Sequence, residues 1–339
     1  MNSAPYVGDI ISLNAEQIMQ KFKSGEFPDK TFSKLYAKYL NIPTRPGLIL
    51  EIQDKKIYQT YCITQETEDF LTCHDKYVFL YDFRTNFSEL EKWMKESKAR
   101  PRPSYCSKKD ISKQIEKSIK EGSNFTNRFF VIIVPRAPGY PFAVSIINGK
   151  YTYVEYSDHF DAVHGSKNTK LGILQEKTLA FDETELPYDC LKKIGCITKN
   201  YTEVIGLNTM CEFFIIDNTP CLISSQRRSQ KRVSLCLPYS ERTKQISQGS
   251  ICGTIKLVDK ISLSETIDQL SQTDKKYVFL AKRPYSEFVD LLKFSEGFIF
   301  EEGSMLCHLA ILLRERGISA RIIHESTLRF RDGEKIVLK

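Results

Sequence analysis

The sequence predicts a mixed fold, α/β and α+β, laid out as a longer first part and a shorter last part. Three observations carry this. Strand-like runs at 129–134, 142–147 and 151–156 follow one another, with an Asn148-Gly149 turn before the third. The segment "SKKDISKQIEKSIKEGSN" (107–124) sets Ile111, Ile115 and Ile119 at four-residue steps, the stripe of an amphipathic helix. Near the end, Leu306, Leu309, Ala310, Leu312 and Leu313 repeat at three- and four-residue spacings after a Gly303-Ser304 turn, which again reads as a core-packed helix. Residues 233–248 are polar with one proline and read as a linker between the two parts.

The elements follow in chain order. "DKTFSKLYAKYLNIPTRPGLIL" (29–50) is a polar-to-apolar segment ending in a strand, with Lys30 and Lys34 in its polar part. "KYVFLYDFRTNFSELEKWMKES" (76–97) reads as a strand and then a Ser-initiated helix, with Arg84 between them. "MCEFFIIDNTPCLISSQRR" (210–228) sets two β-rich runs about an Asp-Asn turn and reads as a hairpin. In "EEGSMLCHLAILLRERGIS" (301–319), Ser304 has helix-start chemistry, Arg314 and Arg316 suit the last turn, and Gly317 stops the helix. His308 therefore falls near a helix N-terminus. Free N–H groups there favour anions such as phosphate and disfavour imidazolium, so the ring is expected neutral and nucleophilic.

Composition bounds the function. The chain has 339 residues, 41% hydrophobic and 27% charged, enough for about two or three domains. No apolar run approaches the ~20 residues that span a membrane. "MNSAPYVGDI" has neither a basic start nor an apolar stretch, so a cytoplasmic chain is expected. The ten cysteines are scattered without a C-x-x-C pair, which favours reduced thiols over disulfides or zinc. The net charge of +7 is spread along the chain, and its densest run, "SSQRRSQKR" (224–232), lacks interleaved aromatics. Nucleic acid is disfavoured as a partner, and nucleotide phosphates suit that charge better.

The last ninety residues resemble the swivelling phosphohistidine domain of the phosphoenolpyruvate-utilising enzymes, the group of phosphoenolpyruvate synthase, pyruvate phosphate dikinase, rifampicin phosphotransferase and glutamine kinase. The ordered pieces are "GSICG" (249–253), "KYVFLAKRPYSEFVDLL" (276–292), "EGFIFEEGSMLCHLAILLRERGISARI" (296–322) and "RDGEKIVLK" (331–339). Glu302, Leu306 and Ser319 depart from the family pattern, where a glycine, a hydroxyl residue and a proline are usual. Residues 127–228 resemble, less closely, the ATP-grasp nucleotide domain of the same group.

The resemblance implies a compact ATP-grasp-like domain followed by a swivelling β/α phosphohistidine domain. Its boundaries are 1–75 for an N-terminal lobe, 76–232 for the nucleotide-binding domain, 233–248 for the linker and 249–339 for the swivelling domain. It implies that His308 carries the phosphoryl group and that Arg228 faces the transferring charge. Glu212 and Gln226 would bind the metal, with Lys30, Arg84, Glu155 and Gln226 around the nucleotide and Lys34 second to Lys30. "HFDAVHGSKN" (159–168) stands where relatives show a Gly-rich stretch, of which Gly165 remains. ATP and Mg²⁺ are the implied cofactors. The implied reaction moves the β-phosphoryl group to His308 and then to a small-molecule acceptor, with AMP and phosphate as co-products. Two other classes stay open: a binding or regulatory relative without the chemistry, and a phosphocarrier served by a partner protein.

Overall fold

The computed structural model describes residues 6–64, 70–83, 103–136, 139–159, 168–176, 178–227 and 243–338. The chain divides into two compact units: Met1–Pro138 with Cys221–Gln226, and Gly139–Pro220 with Arg227–Lys339. The architecture is mixed α/β.

The first unit holds a sheet of β1 (Ile10–Ile11), β2 (Leu48–Gln53), β3 (Lys56–Cys62), β4 (Lys76–Phe83), β5 (Ser104–Ser107) and β6 (Arg128–Pro135), in the order β1-β3-β2-β6-β4-β5. Its helices are α1 (Ala15–Lys23), α2 (Asp29–Tyr36), α3 (Phe70–Cys73) and α4 (Ile111–Ser123). The four-residue isoleucine stripe works as expected. Ile111 and Ile115 are buried and Ile119 packs beside them, in one cluster with Leu50, Phe79, Phe129 and Val131. The boundary expected at 75/76 is not where the structure divides. Strand β4 begins at Lys76 and pairs with β6, so that Val78 lies opposite Val134, inside the same sheet as β2 and β3. The backbone N–H and C=O groups of β4 find partners on both edges, in β5 and β6, within the first unit.

In the second unit β7 (Phe142–Asn148), β8 (Tyr151–Ser157), β9 (Lys170–Gln175), β10 (Thr178–Asp182) and β11 (Thr209–Ile216) run in the order β10-β9-β8-β7-β11. The three strand runs read from the sequence around 129–156 correspond to β6, β7 and β8. Asp217 and Asn218 both take positive φ, 47° and 59°, the turn geometry that Asp-Asn permits after β11. The following strand, β12 (Thr219–Arg227), contains the segment 221–226 that belongs with the first unit. Helix α5 (Tyr188–Ile205) covers one face of the second sheet. The hydroxyls of Ser145 and Thr198 meet there at 2.5 Å, and a Cβ on Gly172 would touch Leu191 at 3.4 Å.

The same unit contains β13 (Thr243–Ser247), β14 (Ile251–Leu257), β15 (Tyr277–Ala281), β16 (Ser295–Phe300), β17 (Ala320–Ile323) and β18 (Lys335–Leu338), in the order β13-β17-β16-β15-β14-β18. Strands β14 to β17 are parallel neighbours, with antiparallel β13 and β18 at the edges. The helices are α6 (Leu263–Leu270), a 3-10 stretch Ser286–Phe294, α7 (His308–Glu315) and α8 (Ser326–Arg329). The expected linker at 233–248 is therefore partly sheet: Gln245 and Ser247 are buried and pair against β17, and Ile246 between them is buried at a bulge. Polar composition misled here, because the ladder satisfies the backbone and the buried Gln245 side chain donates to the Ser247 carbonyl at 3.4 Å. Among the described residues no helix is long and apolar enough to cross a membrane.

Candidate functional site

His308 is the first residue of α7 and is partly exposed, while Met305, Leu306, Cys307, Leu309 and Ala310 around it are buried. The helix stops as read, at Arg316 with Gly317 at φ 65°. Its start differs. Ser304 is not the cap; Cys307, in extended backbone, holds that position. The reason lies in what takes the Ser304 hydroxyl, described below.

The approach to His308 is tightly constrained. Gly303 has φ 134°, and a Cβ there would lie 2.4 Å from Pro284 Cδ, so this turn requires glycine. Arg314, one helical turn and more beyond His308, donates from a terminal nitrogen to the Met305 carbonyl at 2.6 Å and the Ile246 carbonyl at 3.3 Å. Burial lowers the Arg314 pKa to about 10, which still leaves the guanidinium charged at neutral pH. Burial pushes the Cys307 thiol up to about 12, so it is a neutral packing group rather than a nucleophile. Between Ser304 and Ala310, His308 is the side chain that stays partly exposed.

Glu155 explains the start of α7. It lies on β8, 3% exposed. One carboxylate oxygen, Oε2, accepts from the Leu306 amide at 2.8 Å and from the Ser304 hydroxyl. The other, Oε1, accepts from the Met305 amide at 2.5 Å and the Thr169 hydroxyl at 3.1 Å. Beside it Arg283 binds Glu302 at 2.6 Å, and Asn168 donates to the same carboxylate at 2.6 Å. Glu302, which departs from the family glycine, is thereby committed to an ion pair.

The strand register relates Glu155 to Glu212. Val144 pairs with Glu212 on one side and with Glu155 on the other. Directly paired residues point to the same face, so both carboxylates stand on one rung, two strand spacings or roughly 10 Å apart. That face is opposite the one covered by α5, because Ser145, the neighbour of Val144, faces the helix. The segment leading into His308 therefore docks on the sheet face that carries Glu212. Glu212 is half-buried. Mg²⁺ commonly uses one or two protein carboxylates and completes its shell with phosphates and water, so Glu212 is a fitting ligand. Among the described residues no three His, Cys, Asp or Glu side chains gather as a ready-made metal site.

Lys30 and Gln226 fall in the first unit. Lys30 is half-buried on α2, whereas Lys34, the second candidate from the sequence, is 2% exposed. The Ser225 amide donates to the Ser33 hydroxyl at 3.1 Å, which brings the strand carrying Gln226 against the helix carrying both lysines. Sequence reasoning missed Asp82. It is buried, accepts from the Thr31 amide at 2.8 Å and hydroxyl at 2.7 Å, and has its pKa raised by burial, with Lys30 opposing that rise. The expected sites at Arg84 and Arg228, and Gly165, lie outside the described residues.

Residues 273–339 match the family described as PEP-utilising enzyme, mobile domain. No curated protein matches the sequence. Among solved structures the chain is similar to D-alanine–D-alanine ligase from Bacillus anthracis, at 13% identity and a TM-score of 0.34, over 60% of this chain and 55% of that one. Similar figures hold for the ligases from Helicobacter pylori, with 13% identity, a TM-score of 0.31 and coverage of 59% and 50%, and Coxiella burnetii, with 12%, 0.32, and 59% and 47%. The chain spans about half the length of these ligases. The matched stretch, 273–339, holds His308 and the loop before it.

Proposed function

We propose that the protein is an ATP-dependent phosphotransferase that works through a phosphohistidine at His308 and passes the group to a small-molecule acceptor. The observation that carries this reading is a partly exposed imidazole opening helix α7, within the stretch that matches the mobile-domain family, just after Ser304–Cys307, whose side chains are buried.

A neutral ring nitrogen of His308 attacks the β-phosphorus of ATP, and AMP leaves with the α–β bridging oxygen. The γ-phosphoryl group is then lost to water or phosphate, which leaves phosphohistidine. Transfer of this kind asks the protein mainly for position and charge neutralisation. The first-turn N–H groups of α7 favour the phosphoryl anion once it is on the ring. Lys30, half-buried on α2, is the cation for the nucleotide phosphates, with Gln226 as their polar partner. Glu212 is the carboxylate for Mg²⁺, which when bound offsets phosphate charge. Arg228 completes the set as the cation for the transferring group. The acceptor is a small molecule with an amide, hydroxyl or enol oxygen or nitrogen, all of which phosphohistidine can phosphorylate.

The test is direct. Incubation of the full chain with Mg²⁺ and β-labelled ATP is expected to leave acid-labile, base-stable label on the protein, absent in His308→Ala. Because the ring is partly exposed, that variant is expected to unfold within about 0.5 kcal/mol of the wild type. Label that persists in His308→Ala sinks the assignment. ATP binding with no label identifies a binding relative, and label that arrives only with a second phosphorylated protein identifies a phosphocarrier.

A further inference from the structure

Glu155 was expected beside a nucleotide, yet both of its oxygens are occupied by the segment that presents His308. We infer that Glu155 is a positioning residue, a catch that docks the His308 loop on β8 and releases it when the mobile domain swings. The inference deepens the phosphohistidine reading and rests on it for the meaning of the swing.

The catch is built from one strand and one loop. Four donors converge on the carboxylate: the Ser304 hydroxyl, the Met305 and Leu306 amides, and Thr169 from the start of β9. Three of them are the residues just before the Cys307 cap of α7. Among the described residues no lysine or arginine forms an ion pair with Glu155, so these N–H and O–H groups are what stabilise its charge in a buried place. The arrangement is demanding, because each oxygen takes one backbone N–H. Two backbone donors fix the loop's position rather than a side chain's, and the imidazole three residues on follows it.

The surrounding contacts are also polar and reversible. Asn168 binds Glu302 at 2.6 Å, Thr169 faces the Gly303 carbonyl at 3.4 Å, and Lys244 of β13 pairs with Glu183 at 2.7 Å. A cavity of about 140 Å³ remains between Asn168 and Thr169 on one side and Lys244, Glu301, Gly303 and His324 on the other. Protein cores are close-packed, and a hydrogen-bonded seam with a cavity of this size is not a core. Water can replace each of these bonds when the loop lifts. The seam has the character of a docking surface, and Glu155 is its most buried carboxylate.

The catch predicts a result that a nucleotide ligand does not. Glutamine at this position must present its NH₂ to one of the two backbone N–H groups, donor against donor. In E155Q the amides of Met305 and Leu306 are expected to exchange with deuterium about tenfold faster than in wild type. S304A, which removes one donor, is expected to speed them about threefold. E155D, which keeps both oxygens on a shorter arm, is expected to fall between E155Q and wild type. The Kd for ATP is expected to stay within about twofold throughout. Should E155Q fail to fold, S304A and E155D carry the same comparison. Unchanged loop exchange in the folded variants overturns the catch, as does faster exchange spread evenly over the second unit. A tenfold weaker ATP affinity with a quiet loop overturns it in favour of a nucleotide ligand. If wild-type protein binds no ATP and takes no label, the phosphotransfer reading falls separately, while loop exchange still decides the catch.

Discussion

Asp82 on β4 and Glu155 on β8 are both buried carboxylates, and each takes hydrogen bonds from a backbone N–H and a hydroxyl in a segment at or near a helix start. They differ in how the oxygens are used. Asp82 offers Oδ2 alone, to the amide and hydroxyl of Thr31, the third residue of α2. Glu155 engages both oxygens, each with its own backbone amide. They differ also in what they join: Asp82 binds a residue 51 positions away, Glu155 residues about 150 away. The first ties a helix to a sheet within one fold. The second ties the sheet to a domain whose relatives are mobile. On the inference above, the same chemistry makes a permanent lock in one unit and a release point in the other.

The largest expected effect tests the lock. Asp82→Ala removes both bonds and leaves the Thr31 amide buried without a partner, a loss of roughly 3 kcal/mol in urea unfolding. Asp82→Asn is the sharper variant, since its single carbonyl oxygen can take the place of Oδ2. Its effect is a change in pH dependence. The Asp82 pKa is raised in the folded state, so the folded protein holds its proton more tightly than the unfolded chain. Ionisation of Asp82 therefore subtracts stability, progressively, as pH rises from the unfolded value of 3.8 through the raised folded value. Asp82→Asn is expected to lose that decline. A variant that keeps the wild-type slope refutes the assignment of the proton to Asp82. Asparagine is tolerated at 82 by this reasoning, while glutamine is not at 155, and the contrast is a test of the oxygen count.

Gly303→Ala comes next. Alanine at φ 134° is strained, and its Cβ would sit 2.4 Å from Pro284 Cδ within the ring and its backbone. The expected cost is about 2 kcal/mol, with the loop's amides exchanging faster even where the rest of the unit is unchanged. A stability equal to wild type would show that the loop re-forms without the glycine, and the tight approach to His308 would lose its meaning.

Much of this was legible from residue patterns, and the exceptions have physical causes. Period and turn chemistry found α4, β6 to β8, the Asp217–Asn218 turn and the stop at Gly317, because those signals are local. The helix start at 304 was misplaced because a serine hydroxyl caps a helix or binds a carboxylate equally well, and the carboxylate was 149 residues away. The linker at 233–248 was drawn too long, since the ladder pairing of Thr243–Ser247 with β17 is invisible in composition. Glu155 was picked out as a strand carboxylate of interest, but its partners depend on tertiary docking that no spacing encodes. Asp82 gave no signal at all beyond a lone acid in an apolar strand, which in hindsight is the sign of a buried acceptor.

The smallest effects compare the two hydroxyls directly. Thr31→Val and Thr169→Val remove one hydroxyl each and keep the side-chain shape. Thr31 is fully buried and its bond to Asp82 is 2.7 Å, so its loss is expected to cost about 1–2 kcal/mol of global stability. Thr169 is partly exposed, its bond to Glu155 is 3.1 Å, and Oε1 keeps the Met305 amide. Its loss is expected to cost less than about 0.5 kcal/mol globally. The informative readout is local: if Glu155 is a catch, Thr169→Val quickens exchange at Met305 and leaves the strands β7 and β8 protected. Equal global losses in the two variants would mean that both carboxylates are ordinary locks, and that the His308 loop is fixed to its sheet as firmly as α2 is to its own.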